Sequence, residues 1–199
     1  MLLLKKRILV CLSLLLISLS GCQQSIVLLE SNLPIVVIDT EGQAIPDDPK
    51  ITVQMGIVSR NGVNRLSDDF NAYDGPVGIE LRGSSSQFFP KKQYSVETRD
   101  EVGEDNNVEL LGLPEENDWV LYAPYSDKSL IRNALVYETA RSLGYYASRY
   151  VFVEVVINGD YKGVYVLFEK IKRDKNRVDI SKLKEGDLSG GYLLEYESA

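Results

Sequence analysis

The sequence predicts an α+β fold, a β-rich module with one main helix. Three observations carry this expectation. Short β-branched runs recur along the chain, each bounded by Gly, Pro, Asn or Asp. One internal segment, near residues 128–143, has helical length and period. Two apolar runs, Tyr150 to Ile157 and Val164 to Phe168, flank an Asn158-Gly159 pair, the composition that suits a type I′ hairpin turn.

The elements follow in chain order. Lys5, Lys6 and Arg7 precede an apolar run from Ile8 to Leu19. That run is shorter than the roughly 20 residues needed to span a bilayer and sits behind a basic start, so it reads as an export signal. It ends in Leu19-Ser20-Gly21-Cys22, which resembles a bacterial lipobox. Residues 1–21 are therefore expected to be removed and the Cys22 thiol to carry lipid, holding the protein on a membrane on the exported side of the cell envelope. Residues 22–33 would form a tether, 34–75 a β-rich lead-in, and 76–199 the main domain.

Pro34 to Thr40 and Ile51 to Val58 read as strands, with Glu41-Gly42 and Asn61-Gly62 as turns. Ser67 to Pro76 is polar and reads as a loop. Val77 to Leu81 and Gln93 to Thr98 read as strands around the segment Arg82 to Lys92. Arg99 to Val108 is an acidic loop, residues 110–114 form an apolar turn, and Trp119 to Ala123 is a short strand with Trp119 in the core. Ser126 or Asp127 can cap a helix over 128–143, with Leu130, Ile131, Ala134, Leu135 and Tyr137 as its apolar face and Gly144 as its C-cap. Lys170 to Lys184 reads as exposed and basic, and Tyr192 to Glu195 as the start of another strand.

Composition narrows the chemistry. The chain has no histidine, which removes Ser-His-Asp and Cys-His catalysis and imidazole-ligated zinc. Its only cysteines are Cys11, in the expected signal, and Cys22. Catalysis would rest on carboxylates, lysines, arginines, hydroxyls or an oxygen-liganded metal. The net charge of −7 becomes about −10 once the three cations of residues 1–21 are removed. No basic stripe with interleaved aromatics is present, so nucleic acid is not an expected partner. Glu101, Glu104 and Asp105 lack EF-hand spacing and read as a solvated loop.

Several segments taken together resemble the spore-coat-protein-H (CotH) kinase-like family. They are Leu81-Arg82-Gly83-Ser84-Ser85-Ser86, Phe89-Pro90-Lys91-Lys92-Gln93-Tyr94, Asp118-Trp119-Val120-Leu121 with Asp127, Arg132-Asn133, Val155 to Tyr165, and Glu169-Lys170. Their order and spacing match across roughly Ile79 to Tyr196. The resemblance implies the β-rich small lobe of an atypical protein-kinase-like fold, ATP with Mg2+ or Mn2+, and phosphoryl transfer to hydroxyls of a surface protein. By that analogy Arg82, Gly83, Ser84 and Ser85 would lie over the phosphates. Lys91 or Lys92 would neutralise phosphate charge, Glu138 would orient that lysine, and Glu169 would lie near the hinge. The G-x-G-x-x-G loop, the H-R-D loop and D-F-G are absent. Members carry their catalytic and metal-binding aspartates further along, in a large lobe. The expectation is an N-terminal portion of such a domain, with no catalytic residue within the chain and no activity alone. Arg132-Asn133 is expected to fix the helix to a neighbouring loop. A non-catalytic module for protein or glycan, using Tyr145, Tyr146 and Tyr161, is the alternative.

Overall fold

A computed structural model describes residues 26–186 and 189–194. The expected export signal, Cys22, and Glu195 at the end of the expected last strand lie outside the described residues.

Among the described residues the architecture is a closed seven-stranded barrel with one α-helix on its outer wall. The staves are β2 (Ile35–Asp39), β3 (Ile51–Val58), β5 (Tyr73–Arg82), β6 (Gln93–Thr98), β9 (Asp118–Tyr122), β10 (Tyr150–Ile157) and β11 (Asp160–Glu169). Around the ring the order is β2, β3, β5, β6, β9, β11, β10, and β10 closes on β2. That closing pair is parallel and the others are antiparallel. Two small ribbons complete the strands. One pairs β1 (Glu30–Ser31) with β4 (Asn64–Arg65), the other β7 (Val108–Leu110) with β8 (Leu113–Glu116). The helix α1 spans Arg132–Ser142. This is α+β, as the sequence predicts.

Side-chain alternation explains the closure. Val36 and Ile38, Val53, Met55 and Ile57, Val77 and Ile79, Tyr94 and Val96, Trp119 and Leu121, Val153, Val155 and Ile157, and Tyr165 and Leu167 are all buried in one core cluster. Each set keeps a period of two, so every stave turns one face inward. The register keeps these faces together: Val36 opposes Val155, Val96 opposes Trp119, and Val153 opposes Tyr165. A one-residue slip would turn a whole set outward, so the core itself fixes the register.

Two outer patches are covered as well. Ile35, Val58 and Val156 lie under Leu28 and Leu66, while Ser31 donates to the buried Glu154 at 3.0 Å. Leu28 and Ser31, within the expected tether, thus pack on the barrel. In the other patch Val120, Val166 and Phe168 lie under Tyr137 of α1.

The turns obey local rules. Asn158 and Gly159 both take left-handed φ, 51° and 77°, as a type I′ hairpin requires. Gly144 ends α1 at φ 85°, its N–H donating to the Arg141 carbonyl.

Four expectations need correction. First, α1 begins at Arg132 rather than Lys128. Leu130 adopts φ 64° and breaks the helical path, while Asp127 accepts from Ser129 and from the Arg132 N–H. The expected cap therefore works on a turn that delivers the chain to the helix. Second, Ile131 and Leu135 are 50% and 62% exposed, and Ala134 alone is buried. The true packing face is narrow and centred on Ala134 and Tyr137. Third, residues 73–76 belong to β5 rather than a loop. Pro76 fits there because it opposes Gln54 of β3, while pairing with β6 begins one residue later at Val77. Fourth, Tyr192, Leu193 and Leu194 carry no strand.

Candidate functional site

A cleft lies along the outer barrel wall beside α1. Its volume is about 470 Å3. Val120 and Tyr122 of β9 and Phe168 of β11 form its floor, and Asn133 and Tyr137 of α1 one side. Arg82 and Gln93, paired across the ends of β5 and β6, supply polar groups. The segment Glu169 to Ile171, leaving β11, supplies another edge. The aromatic floor is rigid because its rings brace one another. The Tyr137 and Tyr122 rings meet Phe168 edge-on at 5.1 and 5.9 Å between centroids, an arrangement the ring quadrupoles favour.

Of the residues singled out in the sequence, Arg82 and Glu169 line this cleft. Arg82 is exposed at its mouth. Glu169 is fully buried, accepting from the Arg149 N–H at 2.9 Å and pairing with the Arg149 and Arg177 guanidinium groups at 2.8 Å each. Its carboxylate is therefore spoken for.

Gly83, Ser84 and Ser85 lie outside the lining. They form a tight turn leading into a single turn of 3-10 helix over Ser85–Phe88. Gly83 needs its lack of side chain, since φ is 103° and a Cβ would fall 2.0 Å from the Ser86 Oγ. Gln87 Nε2 donates to the Gly83 carbonyl at 2.6 Å and fixes the turn.

Both lysines are tied to backbone. Lys92 Nζ donates to the Gln87 carbonyl at 2.6 Å. Lys91 Nζ donates to the Val164 carbonyl and sits 4.5 Å from the Tyr165 ring centroid. Burial pushes the Lys91 ammonium below the usual lysine range, opposed by the Glu154 charge. Glu138 pairs with Arg141, one helical turn further on, and is mostly exposed. The structure therefore does not bring Glu138 to either lysine, and the expected lysine–glutamate pair is not formed. Arg132 does anchor the start of the helix, with its guanidinium 3.4 Å from Asp127. Hydrogen bonding from Ser129 and the Arg132 N–H holds the Asp127 carboxyl below its ordinary range.

Sequence reasoning missed the plug at one end of the barrel. Arg177, in the run read as exposed, is only 5% exposed. Its guanidinium lies 4.8 Å from the Trp119 ring centroid and bonds to Glu169. An arginine inside a polar, basic run gives no signal of burial, because the partners that admit it come from β9 and β11.

The cleft can accept an anionic, ring-bearing ligand: Arg82 offers charge-assisted hydrogen bonds and the aromatic floor offers apolar contact. Its side chains do not suit a divalent cation. Glu169 is the one carboxylate in its lining and is held by two arginines. Among the described residues no group of three or more potential ligands gathers at one point.

The fold is a closed β-barrel with a helix-flanked, arginine-edged cleft on its wall. Residues 79–199 match the family model described as CotH kinase protein. That is more than half of the chain, and the chain belongs to this family. No curated protein matches it. The matched region starts inside β5, so β2, β3 and the first half of β5 are barrel staves that precede it.

Proposed function

We propose that the chain is the nucleotide-facing part of a kinase-like phosphotransferase, held on the exported face of a membrane by lipid on Cys22. The observation that carries this reading is the composition of the cleft: Arg82 at one edge, the β11 exit segment Glu169 to Ile171 at another, and α1 beside them. In this reading the base of ATP rests on the floor of Tyr122, Tyr137 and Phe168, and Arg82 meets phosphate oxygens. Gly83, Ser84 and Ser85 cover the phosphates from the adjoining turn. The acceptor is a hydroxyl of a surface protein, and Mg2+ or Mn2+ would be held by the phosphates of the nucleotide rather than by side chains of this cleft.

Thermal unfolding of the full-length chain in detergent, with and without magnesium-ATP, tests the reading. A ligand bound only by the native state raises the midpoint. The rise should be present in the wild type and largely lost in Arg82→Ala. A cooperative transition indifferent to ATP would sink the nucleotide reading. Lipidation is tested separately by labelled palmitate, whose incorporation should vanish in Cys22→Ala.

A second reading, a non-catalytic binding module, is favoured by one specific observation. Lys91 and Lys92 are engaged with backbone carbonyls and Glu138 with Arg141, so no lysine–glutamate pair stands ready for phosphoryl transfer. Tyr145 is 70% exposed and Tyr146 is partly exposed, whereas Tyr161 is bonded to Glu154.

A further inference from the structure

A second pocket, of about 330 Å3, opens between the C-terminal end of α1 and the loop carrying Lys175 to Arg177. We propose that it binds a phosphate dianion, free or as a monoester. This goes beyond the nucleotide reading and does not depend on it.

The charge balance carries the proposal. Arg141, Arg149, Lys175 and Arg177 line the pocket, and no carboxylate does. Two carboxylates touch these four cations from behind. Glu138 pairs with Arg141, and Glu169 pairs with both Arg149 and Arg177. The nearby Asp174 accepts from the Asn176 N–H within its own loop. Four cations thus share two directly paired carboxylates in a protein whose net charge is −7, an excess that Asp174 in the same loop reduces but does not cancel. That excess favours an anion, and a phosphate monoester carries nearly two negative charges at neutral pH.

Unused donors point the same way. Lys175 is exposed and makes no hydrogen bond or ion pair among the described residues. Arg177 has no side-chain exposure and its guanidinium lies 4.8 Å from the Trp119 ring centroid, so it adds charge to the pocket rather than contacts. Arginine's planar fork suits phosphate oxygens, and the Arg149 side chain is 40% exposed at this pocket. The rings of Tyr145 and Tyr146 also line the pocket, giving apolar surface for the carbon side of an ester. Inorganic phosphate and a phosphorylated hydroxyl side chain share this chemistry.

The test is calorimetric titration of the full-length chain in detergent, at constant ionic strength. The probes are inorganic phosphate, a phosphoserine peptide and its unphosphorylated counterpart, with chloride as the control. Phosphate or the phosphopeptide should bind, and Lys175→Ala should weaken binding about tenfold, the loss expected for one charge-assisted contact. Lys175 has no folding role to lose, so its variant reports on binding alone. Arg82→Ala should leave phosphate binding unchanged, which separates this pocket from the nucleotide cleft. Tighter binding of the phosphopeptide than of phosphate assigns the site to modified side chains, and equal or weaker binding assigns it to free phosphate. Heats no different from chloride, equal binding of both peptides, or binding unchanged in Lys175→Ala would overturn the proposal.

Discussion

At the scale of single residues, the barrel end is held by an ionic cluster that hydrophobic patterning cannot show. Glu169 is buried without exposure of its side chain, and so is Arg177. Burying charges is tolerated only when they are paired and bonded. Removing one partner leaves the other stranded in a low-dielectric interior. Arg177→Ala is therefore expected to lose about 3 kcal/mol of stability, measured by urea unfolding. A loss below about 1 kcal/mol, the usual range for exposed pairs, would show that the cluster is not a structural lock. The neighbouring Arg149 is less enclosed, since its side chain is 40% exposed, so its loss should be milder.

At the scale of elements, the turns and the helix differ in how far local sequence controls them. Asn158-Gly159 dictates its own hairpin, because both residues tolerate left-handed φ. Gly159→Ala meets no neighbour within 4 Å, so its cost is conformational, expected at about 1 kcal/mol by thermal unfolding. The helix depends instead on what lies beneath it. Its contact runs through Ala134 and Tyr137, while Leu135 and Val136 remain 62% exposed. Leu135→Glu is expected to change stability by less than about 0.5 kcal/mol. Tyr137→Ala should loosen α1, seen as faster amide exchange across Arg132–Ser142. If Leu135→Glu proved as harmful as Tyr137→Ala, this account of the helix face would be wrong.

At the scale of the whole molecule, closure of the barrel is the central fact. β10 pairs with β2 along Glu154 to Ile157, and β3 joins β2 to β5. The family-matched segment 79–199 therefore lacks two staves and part of a third. Produced alone, it is expected to show no cooperative thermal transition, because its β10 and β5 edges and the core side chains facing the missing staves would meet water. A sharp transition comparable to that of the full chain would refute this dependence.

Charge pairing across the barrel wall sets the pH response. Burial alone would raise the Asp118 carboxyl, but the hydrogen bond from Lys172 and the charges of Lys170, Lys172 and Lys50 outweigh it and hold it low. Glu97 is likewise lowered, with bonds from Arg99 and Lys50 outweighing burial. A carboxylate lowered by folding stabilises the native state above its unfolded value and loses that contribution as pH falls through the folded one. The unfolding midpoint should therefore fall as pH drops below about 4. Asp118→Asn should flatten that acid limb. An unchanged limb in this variant would remove Asp118 from the account.

Much of this molecule follows from sequence alone. The period-two runs give the staves, since a strand must turn one face to a core. Gly144 and Asn158-Gly159 give their turns through backbone sterics. The order of Arg82-Gly83, Phe89-Pro90-Lys91-Lys92 and Glu169-Lys170 gives the family. Tertiary structure decided the rest. It joined residues 35–58 to the later staves in one ring, because edge pairing is a long-range choice that no local pattern encodes. It turned Leu130 out of the helix and left Leu135 in water, because the barrel wall offers α1 only a narrow seat. It also drew Arg177 out of a polar run and onto Trp119 and Glu169. A buried cation is stable only where its partners converge, and that convergence exists only once the barrel has closed.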